Sequence, residues 1–548
     1  MNDPDVVILG GGLAGLTLAR QLLLESDCRV LVLERQDTVP GPRQKVGEST
    51  VQVAGDYFGR VLDLEVYLMH EHFMKYNLRF SWRTKGTAGD RIEDYSQSYI
   101  RQYSNIPCYQ VDRNRLEAEI ARRCSADSRC EIVTSVRDLE VELASDGRHR
   151  VAFRSGETTA VIHPAWVVDA SGRRRFLARQ LGLDRPSPID HGATFWWVDG
   201  IIDMDRLGNE TQRQRRLRSS QCQVGHSQQW LATNHFMGHG FWLWLIPLHG
   251  KTSVGLVYDP QYVPREQVRT ADRAAAWSAN RFPMLAPSLL AKPIEEWAGF
   301  RSFALDAERV ISTDRWALVG EAGRFSDPLY SPGSDQIALH NTAIVGAINS
   351  ANTTELQQRV GLAEPWLRGM FRAYEPSYAG SYGALGDQET FTLKYTWELA
   401  VYFSFYVFPA INDLFFDRRF LTSFLRLFSR LGPINRRVHE RIAAFTVWKA
   451  EEGRASTTVQ YNDFMEVGWL RDAEKTFYRI GVSVEEAREI LAERLESLAE
   501  MAQWIEAWID ARQGGAVSLA PAGGRWTHDP DVLARLAANE LAPAMSVG

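Results

Sequence analysis

The chain has 548 residues, 45% of them hydrophobic and 24% charged, and its 62 Lys and Arg against 68 Asp and Glu give a formal net charge of −6. That is a globular composition with chain enough for more than one domain. The slightly acidic balance removes the basic field that general nucleic-acid binding needs to displace counterions from phosphates.

Five cysteines, Cys28, Cys108, Cys124, Cys130 and Cys222, are too few for a disulfide framework at this length. None falls in a CxxC pair, so no metal site is expected. The N-terminus, MNDPDVVILGGG, has two acidic residues and no basic segment before its first apolar run. It reads as neither a secretory signal nor a transit peptide, and a cytoplasmic location is expected.

In chain order, the apolar run Asp5 to Leu9 meets Gly10-Gly11-Gly12, Leu13 to Leu24 has helical spacing, and Val30 to Leu33 is apolar again. This is a βαβ unit. Gly10, Gly12 and Gly15 stand in the GxGxxG spacing of a dinucleotide-binding turn. Gly10 permits the tight turn, Gly12 lets the backbone approach a pyrophosphate, and Gly15 brings helix and strand together. Leu13 and Ala14 open the helix whose N-terminus faces the phosphate charge. Glu34, ending the next strand, would accept ribose hydroxyls. A second nicotinamide fingerprint is missing, so if the cofactor is a flavin, which such fingerprints also serve, its reducing equivalents are expected from outside the chain.

Residues 76 to 310 alternate short strand-like segments with turn and charge clusters, as a sheet-bearing substrate region would. Two segments read as strands running into turns: Val167-Val168-Asp169-Ala170-Ser171-Gly172-Arg173, and Leu318-Val319-Gly320-Glu321-Ala322-Gly323 ahead of Asp327-Pro328. Between them lies Trp242-x-Trp244-x-Ile246-Pro247. Alternate residues of a strand share a face, so the two indoles would form one bulky wall.

Beyond about residue 355 the character changes to long amphipathic helical stretches such as Ser483 to Ile509, an expected C-terminal helical domain. The most membrane-like stretch, Leu399 to Asn412, is uncharged but interrupted by Pro409 and well short of the ~20 residues needed to span a bilayer. It reads as a buried, aromatic-rich helix. The tail Gly514 to Gly548 is rich in Ala, Pro and Gly and reads as partly mobile.

Read together, these motifs resemble the flavin-dependent halogenases. The resemblance runs through GxGxxG, Lys45-Val46-Gly47-Glu48-Ser49-Thr50, Phe73-Met74-Lys75-Tyr76-Asn77-Leu78-Arg79-Phe80-Ser81-Trp82, Asp112-Arg113, WxWxIP, and Asp327-Pro328-Leu329-Tyr330-Ser331-Pro332-Gly333. It implies an α/β, flavoprotein-monooxygenase-like dinucleotide-binding fold with an inserted mixed or antiparallel substrate sheet and a C-terminal helical domain. The FAD-binding, halogenase-like module would span 1–355, with its FAD part in about 1–75, 110–185 and 300–355 and its substrate sheet in about 76–110 and 186–300. Residues 356–548 would form the helical domain.

The same resemblance implies FAD contacts at Gly10, Gly12, Leu13, Ala14, Gly15, Glu34, Ser49, Arg113, Asp169, Glu321, Asp327 and Ser334. Halide would sit on the Gly333 and Ser334 amides. Trp242, Trp244, Ile246 and Pro247 would wall the flavin, and Lys75 would be the essential lysine. In the family, reduced flavin and oxygen give a C4a-hydroperoxide, halide attacks it, and hypohalous acid travels through a tunnel to that lysine. A lysine suits the task because its ammonium, or its amine when burial depresses the pKa, can hydrogen-bond hypohalous acid or form a haloamine. Lys45, in the segment that straps the flavin, is the competing lysine and is assigned a positioning or exposed role.

Three departures narrow the expectation. Pro332 has no N–H to offer the halide. Tyr330 stands where tryptophan halogenases carry a glutamate, which points away from free tryptophan. Glu321 stands where related flavoproteins often have aspartate. The expected reaction is therefore FADH2-, oxygen- and chloride- or bromide-dependent halogenation of a phenol or pyrrole, free or carrier-bound. A separate NAD(P)H-dependent flavin reductase would supply FADH2. A monooxygenase or reductase of the same fold that does not use halide is the alternative, and a non-catalytic flavin-binding or carrier-docking protein a third. The basic stretch Arg418, Arg419, Arg426, Arg430, Arg436, Arg437 and Arg441 reads as a solvated helix face or a docking surface for a carrier protein, reductase or anionic surface. Trp397, Tyr402, Phe405 and Tyr406 are candidates for lining a substrate pocket or for core packing.

Overall fold

The structure is a computed structural model that describes residues 3–100, 104–145, 148–207, 228–454 and 457–514. Cys222 and the tail beyond Gly514 lie outside the described residues.

The first layer is a five-stranded parallel sheet in the order Trp316–Leu318, Trp166–Asp169, Val6–Leu9, Val30–Leu33, Cys130–Val133. Its central strands read VVIL, VLVL and WVVD and are buried at every position, as a parallel sheet covered on both faces requires. Helices Leu13–Glu25, Arg113–Ser125 and Gly333–Ile348 pack around it. The strand order reverses between Val6–Leu9 and Trp166–Asp169, and a ligand crevice opens at the carboxyl ends of such a switch point. Two glycines make that crevice possible. A Cβ on Gly10, whose φ is +120°, would come within 2.4 Å of the Ala170 carbonyl oxygen, and one on Gly15 within 2.0 Å of the Gly10 carbonyl oxygen.

The second layer is an eight-stranded mixed sheet. Its order is Ile294–Phe300, Gly192–Asp199, Lys251–Tyr258, Phe241–Leu248, Thr233–Gly238, Leu78–Arg83, Tyr95–Tyr99 and Tyr461–Asp463. Most pairs are antiparallel; Thr233–Gly238 with Leu78–Arg83, and Tyr461–Asp463 with Tyr95–Tyr99, are parallel. The last strand comes from the C-terminal region, which is therefore not purely helical. Three residues are too short for a period-2 pattern to register in the sequence.

The segment Phe73 to Trp82 does not form one strand. Phe73–Met74 pairs with Tyr109–Gln110, Asn77 turns the chain with φ +70°, and Leu78–Arg83 then enters the large sheet. Asn is among the few residues that take the left-handed region readily. Lys75 thus sits in the break between two sheets.

Of the long C-terminal helices, Gln388–Tyr402 packs on the second sheet at Tyr95–Tyr99, Thr353–Tyr378 packs on Arg418–Glu451, and Arg418–Glu451, Gly468–Phe477 and Val484–Arg512 pack on Gln388–Tyr402. Ser483 caps the last by accepting the Glu486 N–H. Arg437 and Arg441 of the basic stretch pair with Glu506 and Asp510 on that helix, so part of the stretch staples two helices together. Gln388–Tyr402 is the innermost helix. The Gln388 amide donates to the Gln97 carbonyl, and the Trp82 indole to the Leu385 carbonyl. It continues through a π-turn, Phe403–Val407, into Phe408–Ile411, and the apolar run that starts at Leu399 is buried throughout its first eleven residues. Among the described residues no helix is long and apolar enough to cross a membrane.

Candidate active site

Two cavities meet at the loop that precedes helix Gly333–Ile348. The first, of about 430 Å³, opens at the switch point and runs from Gly12, Leu13 and Ala14 to the indoles of Trp242 and Trp244. A Cβ on Gly12 would meet nothing within 4 Å, so open space faces the helix N-terminus where a pyrophosphate would approach. At the end of the second strand, Glu34 Oε2 accepts the Gly11 N–H at 2.7 Å and Oε1 accepts the Gln36 N–H at 2.8 Å. Both bonds fix the carboxylate beside the glycine turn, where it can meet a ribose.

Arg113 borders the same cavity. It donates to the Val46 carbonyl at 2.6 Å and to Glu117 at 2.5 Å, and its buried Nε finds no acceptor among the described residues. Lys45 shares Glu117 and also borders the cavity. Burial raises the Glu321 pKa, opposed by Arg173 and Arg113. A cavity that opens on a helix N-terminus and carries an orphaned guanidinium donor along its side fits a dinucleotide, with Glu34 fixed beside the glycine turn but outside the cavity lining.

Not every expected contact faces this space. Asp169 accepts the Ser171 and Leu177 N–H groups. Asp327 accepts the Leu329 N–H and the Tyr382 hydroxyl and pairs with His191. Both carboxylates are buried and shape turns around the cavity. Gly10 and Gly15 lie beneath it.

Trp242, Trp244 and Ile246 present one face of their strand to the cavity, and Pro247 the other. Each indole is fixed from behind. Trp242 donates to the Tyr382 hydroxyl at 3.0 Å, which itself donates to Asp327 at 2.8 Å. Trp244 donates to Ser253 at 3.1 Å. Opposite Trp244 in register is Gly255, where a Cβ would come within 2.1 Å of the indole. Glu48, in the strap, accepts the Trp197 indole N–H at 2.6 Å, and burial pushes its pKa up to about 7.

Tyr330 and Ser331 take φ of +72° and +64°, two consecutive left-handed residues without glycine. Such backbone costs of order 1–3 kcal/mol per residue and persists where its surroundings over-determine it. Pro332 then caps the helix, and Gly333 and Ser334 occupy its first positions, bordering the first cavity. Amides there have no intrahelical acceptor and favour an anion.

The second cavity, of about 380 Å³, lies between the strap, the Lys75 break and the C-terminal helices. Lys75 is 7% exposed. Its Nζ donates to the Thr50 carbonyl at 2.7 Å and to Ser49 Oγ at 2.9 Å. Burial pushes its pKa down to about 8, against the opposing pull of Cys108 and Asp335. Ser49 borders the first cavity and Lys75 the second, so one hydrogen bond spans the partition.

The far wall shows in the sequence only at Tyr402. Of Trp397, Tyr402, Phe405 and Tyr406, Tyr402 borders the cavity, whereas Trp397 bonds Asn435, Phe405 packs on Phe424 and Phe428, and Tyr406 bonds the Met370 carbonyl. Tyr374, Tyr395 and Glu398 complete the wall. Lys394 and Glu398, four residues apart, have the spacing of a solvent-exposed helix pair. Nothing in that spacing signals their burial.

The sequence profile of the lycopene cyclase protein family matches residues 5–185, which carry four of the five strands of the parallel sheet. Flavin-dependent halogenase chlA of Dictyostelium discoideum is 25% identical over 437 residues, 74% of this chain and 70% of that protein. Tetracycline 7-halogenase of Kitasatospora aureofaciens is 27% identical over 63% of this chain and 62% of its own length. A 1H-pyrrole-2-carbonyl peptidyl-carrier-protein chlorinase of Pseudomonas fluorescens is 25% identical over 63% of this chain and 75% of its own. Among solved structures, halogenase PltM in complex with phloroglucinol and FAD aligns with a TM-score of 0.60 at 15% identity, over 91% of this chain and 98% of that one. At that identity the likeness concerns the fold. By sequence and by architecture, then, this chain is a relative of the flavin-dependent halogenases and carries their dinucleotide-binding fold.

Proposed function

We propose that this protein is an FAD-dependent halogenase acting on an electron-rich aromatic ring. The observation that carries the reading is the buried Lys75 amine, bonded to Ser49 across the partition between the two cavities. Gly12, Leu13, Ala14, Glu34, Ser49, Arg113, Glu321 and Ser334 hold FAD, while Gly10, Gly15, Asp169 and Asp327 shape the turns around it. When bound and reduced, FAD supplies the two-electron reduction of oxygen that converts halide to hypohalous acid. The Gly333 and Ser334 amides hold the halide at the helix N-terminus. Trp242, Trp244 and Ile246 fill the space beside the ring system and keep bulky substrates out of the flavin cavity.

Lys75 receives the oxidised halogen. A pKa near 8 leaves a substantial neutral fraction at neutral to mildly basic pH. The amine then hydrogen-bonds hypohalous acid or takes up its halogen, and the aromatic substrate meets electrophilic halogen in the second cavity. Phenols and pyrroles suit this chemistry because their heteroatoms donate electron density to the ring. The substrates named for the relatives, a tetracycline and a carrier-bound pyrrole, and the phloroglucinol bound to PltM, support that class. A separate NAD(P)H-dependent reductase provides FADH2, since one dinucleotide turn serves one cofactor. Free thiols at Cys28, Cys108, Cys124 and Cys130 suit the cytoplasm.

The test is product mass spectrometry. The protein, FAD, a flavin reductase with NADH, and bromide are supplied with a panel of phenol, pyrrole and indole substrates, free and carrier-bound. Products carrying bromine's isotope doublet are expected from phenols or pyrroles. Oxygenated products formed equally without halide would instead favour the same-fold monooxygenase, a reading supported by Pro332, which lacks an N–H at the halide loop.

A further inference from the structure

We propose that Glu398 is a catalytic base that takes the hydroxyl proton of a phenolic substrate in the second cavity, an inference that rests on the halogenase reading and narrows its substrate to hydroxylated rings. The cavity holds Lys75 and Glu398 in walls built by different parts of the chain. Its remaining lining is mostly aromatic and aliphatic; the other carboxylate there, Asp335, has both oxygens engaged, by the Ala54 N–H and the Tyr402 hydroxyl. Glu398 Oε1 accepts from Lys394 Nζ at 2.6 Å, and Lys394 is fully buried. Glu398 Oε2 is buried and accepts no hydrogen bond among the described residues. A buried acceptor without a donor carries the full cost of its desolvation, and native structures keep such atoms for function or for a ligand.

Everything around the carboxylate is accounted for. On its own helix are Lys394 and Tyr395. Tyr330 approaches from the strained loop, where its hydroxyl accepts from Lys394 at 3.3 Å. Helix Thr353–Tyr378 brings Tyr374, Ser377 and Tyr378. From Arg418–Glu451 comes His439, whose Nε2 lies 3.6 Å from Oε1 and which burial and Lys394 keep neutral. Tyr330 and Ser377 stand near enough to lower the Glu398 pKa, yet neither makes a well-formed hydrogen bond to Oε2. Burial outweighs them and Lys394 and raises it, which narrows the gap to a phenol. The vacant valence is therefore left for an O–H donor that arrives with a ring in the cavity Glu398 lines.

The step balances as follows. The phenol O–H bond breaks and its proton joins Glu398 Oε2. A ring carbon of the phenolate then forms a bond to the halogen of hypohalous acid held at Lys75, the halogen–oxygen bond breaks, and hydroxide leaves. Hydroxide takes the displaced ring proton as water, and Glu398 returns its proton to the halogenated phenolate. Hypohalous acid, the oxidant, is consumed; the ring is oxidised by two electrons.

The experiment compares wild type and Glu398→Gln on phloroglucinol and on 1,3,5-trimethoxybenzene, whose ring is activated but which has no hydroxyl proton. FAD affinity is measured alongside as a check on folding. Glu398→Gln is expected to lower kcat/KM on phloroglucinol by about 100-fold, as loss of a general base does. It should leave the trimethoxy ring within about twofold, and the phenol deficit should shrink as pH rises toward the phenol's own ionisation. Equal loss on both rings, or no loss on phloroglucinol, overturns the assignment. Should Glu398→Gln fail to bind FAD, Glu398→Met, which also removes the carboxylate, carries the same comparison with the same two outcomes. A wild-type protein that halogenates neither ring overturns the halogenase reading itself; a halogenating wild type with an indifferent Glu398 variant overturns this inference alone.

Discussion

Lys75 Nζ lies 2.9 Å from Ser49 Oγ, and that bond joins the strap along the flavin-side cavity to the cavity on the other side of the partition. Thr50, the next residue of the strap, offers its carbonyl to the same amine at 2.7 Å. The lysine is therefore held by the segment that borders the first cavity, with its orientation fixed by two acceptors and its solvation removed by burial.

Replacing Lys75 by Ala should abolish halogenated product, by at least about 100-fold, while reoxidation of the reduced flavin by oxygen continues. Product by mass spectrometry and oxygen consumption, recorded in one reaction, separate the two. Retained halogenation would remove the lysine from its role.

The same burial makes a prediction about pH. A lysine held near pKa 8 in the folded chain but near 10.5 when unfolded binds fewer protons folded than unfolded between those values, so stability rises with pH across that window. Relative to Lys75→Met, which does not titrate, the wild type should gain up to about 3 kcal/mol between pH 7 and 10.5. Urea denaturation of both proteins along that range measures it. A constant difference would mean that the amine is solvated.

Gly255 keeps Trp244 in its place. Gly255→Ala puts a methyl group where the indole stands and should push Trp244 toward the flavin-side cavity, costing of order 1–3 kcal/mol in stability. FAD affinity should weaken by about tenfold, read by flavin fluorescence.

Pro332→Ala restores an N–H beside Gly333 without changing the backbone angle the helix needs, since φ is −77° there. An added donor at the helix N-terminus should lower the halide KM severalfold, by roughly the 0.5–1.5 kcal/mol of one net hydrogen bond. An unchanged halide KM would show that the amide of residue 332 faces away from the halide.

Tyr382→Phe cuts the link between Trp242 and Asp327, leaving an indole N–H and a carboxylate oxygen each short of a partner. A loss of about 1–3 kcal/mol is expected, measured by thermal or urea unfolding.

The dinucleotide end was legible in the sequence because its signals are local. Gly10, Gly12, Gly15 and Glu34 fall within 25 residues of one another, and the strand–turn–helix around them follows from a short apolar run, a glycine turn and a helical repeat. The alternation of Trp242, Trp244 and Ile246 likewise assigns one face to three residues without reference to anything distant. What no local pattern carries is which distant segments share a wall. Lys75 is decided by a chain break at Asn77 and by burial under helices that begin more than 250 residues later. Glu398 and Lys394 have the spacing of an exposed ion pair, and only the packing of Gln388–Tyr402 between the sheet and the outer helices buries them. Tyr461–Asp463 becomes a strand only because Tyr95–Tyr99 leaves an edge for it to pair with. Burial is a property of the packed chain, and it is burial that shifts the pKa values of a lysine and a glutamate lining one cavity.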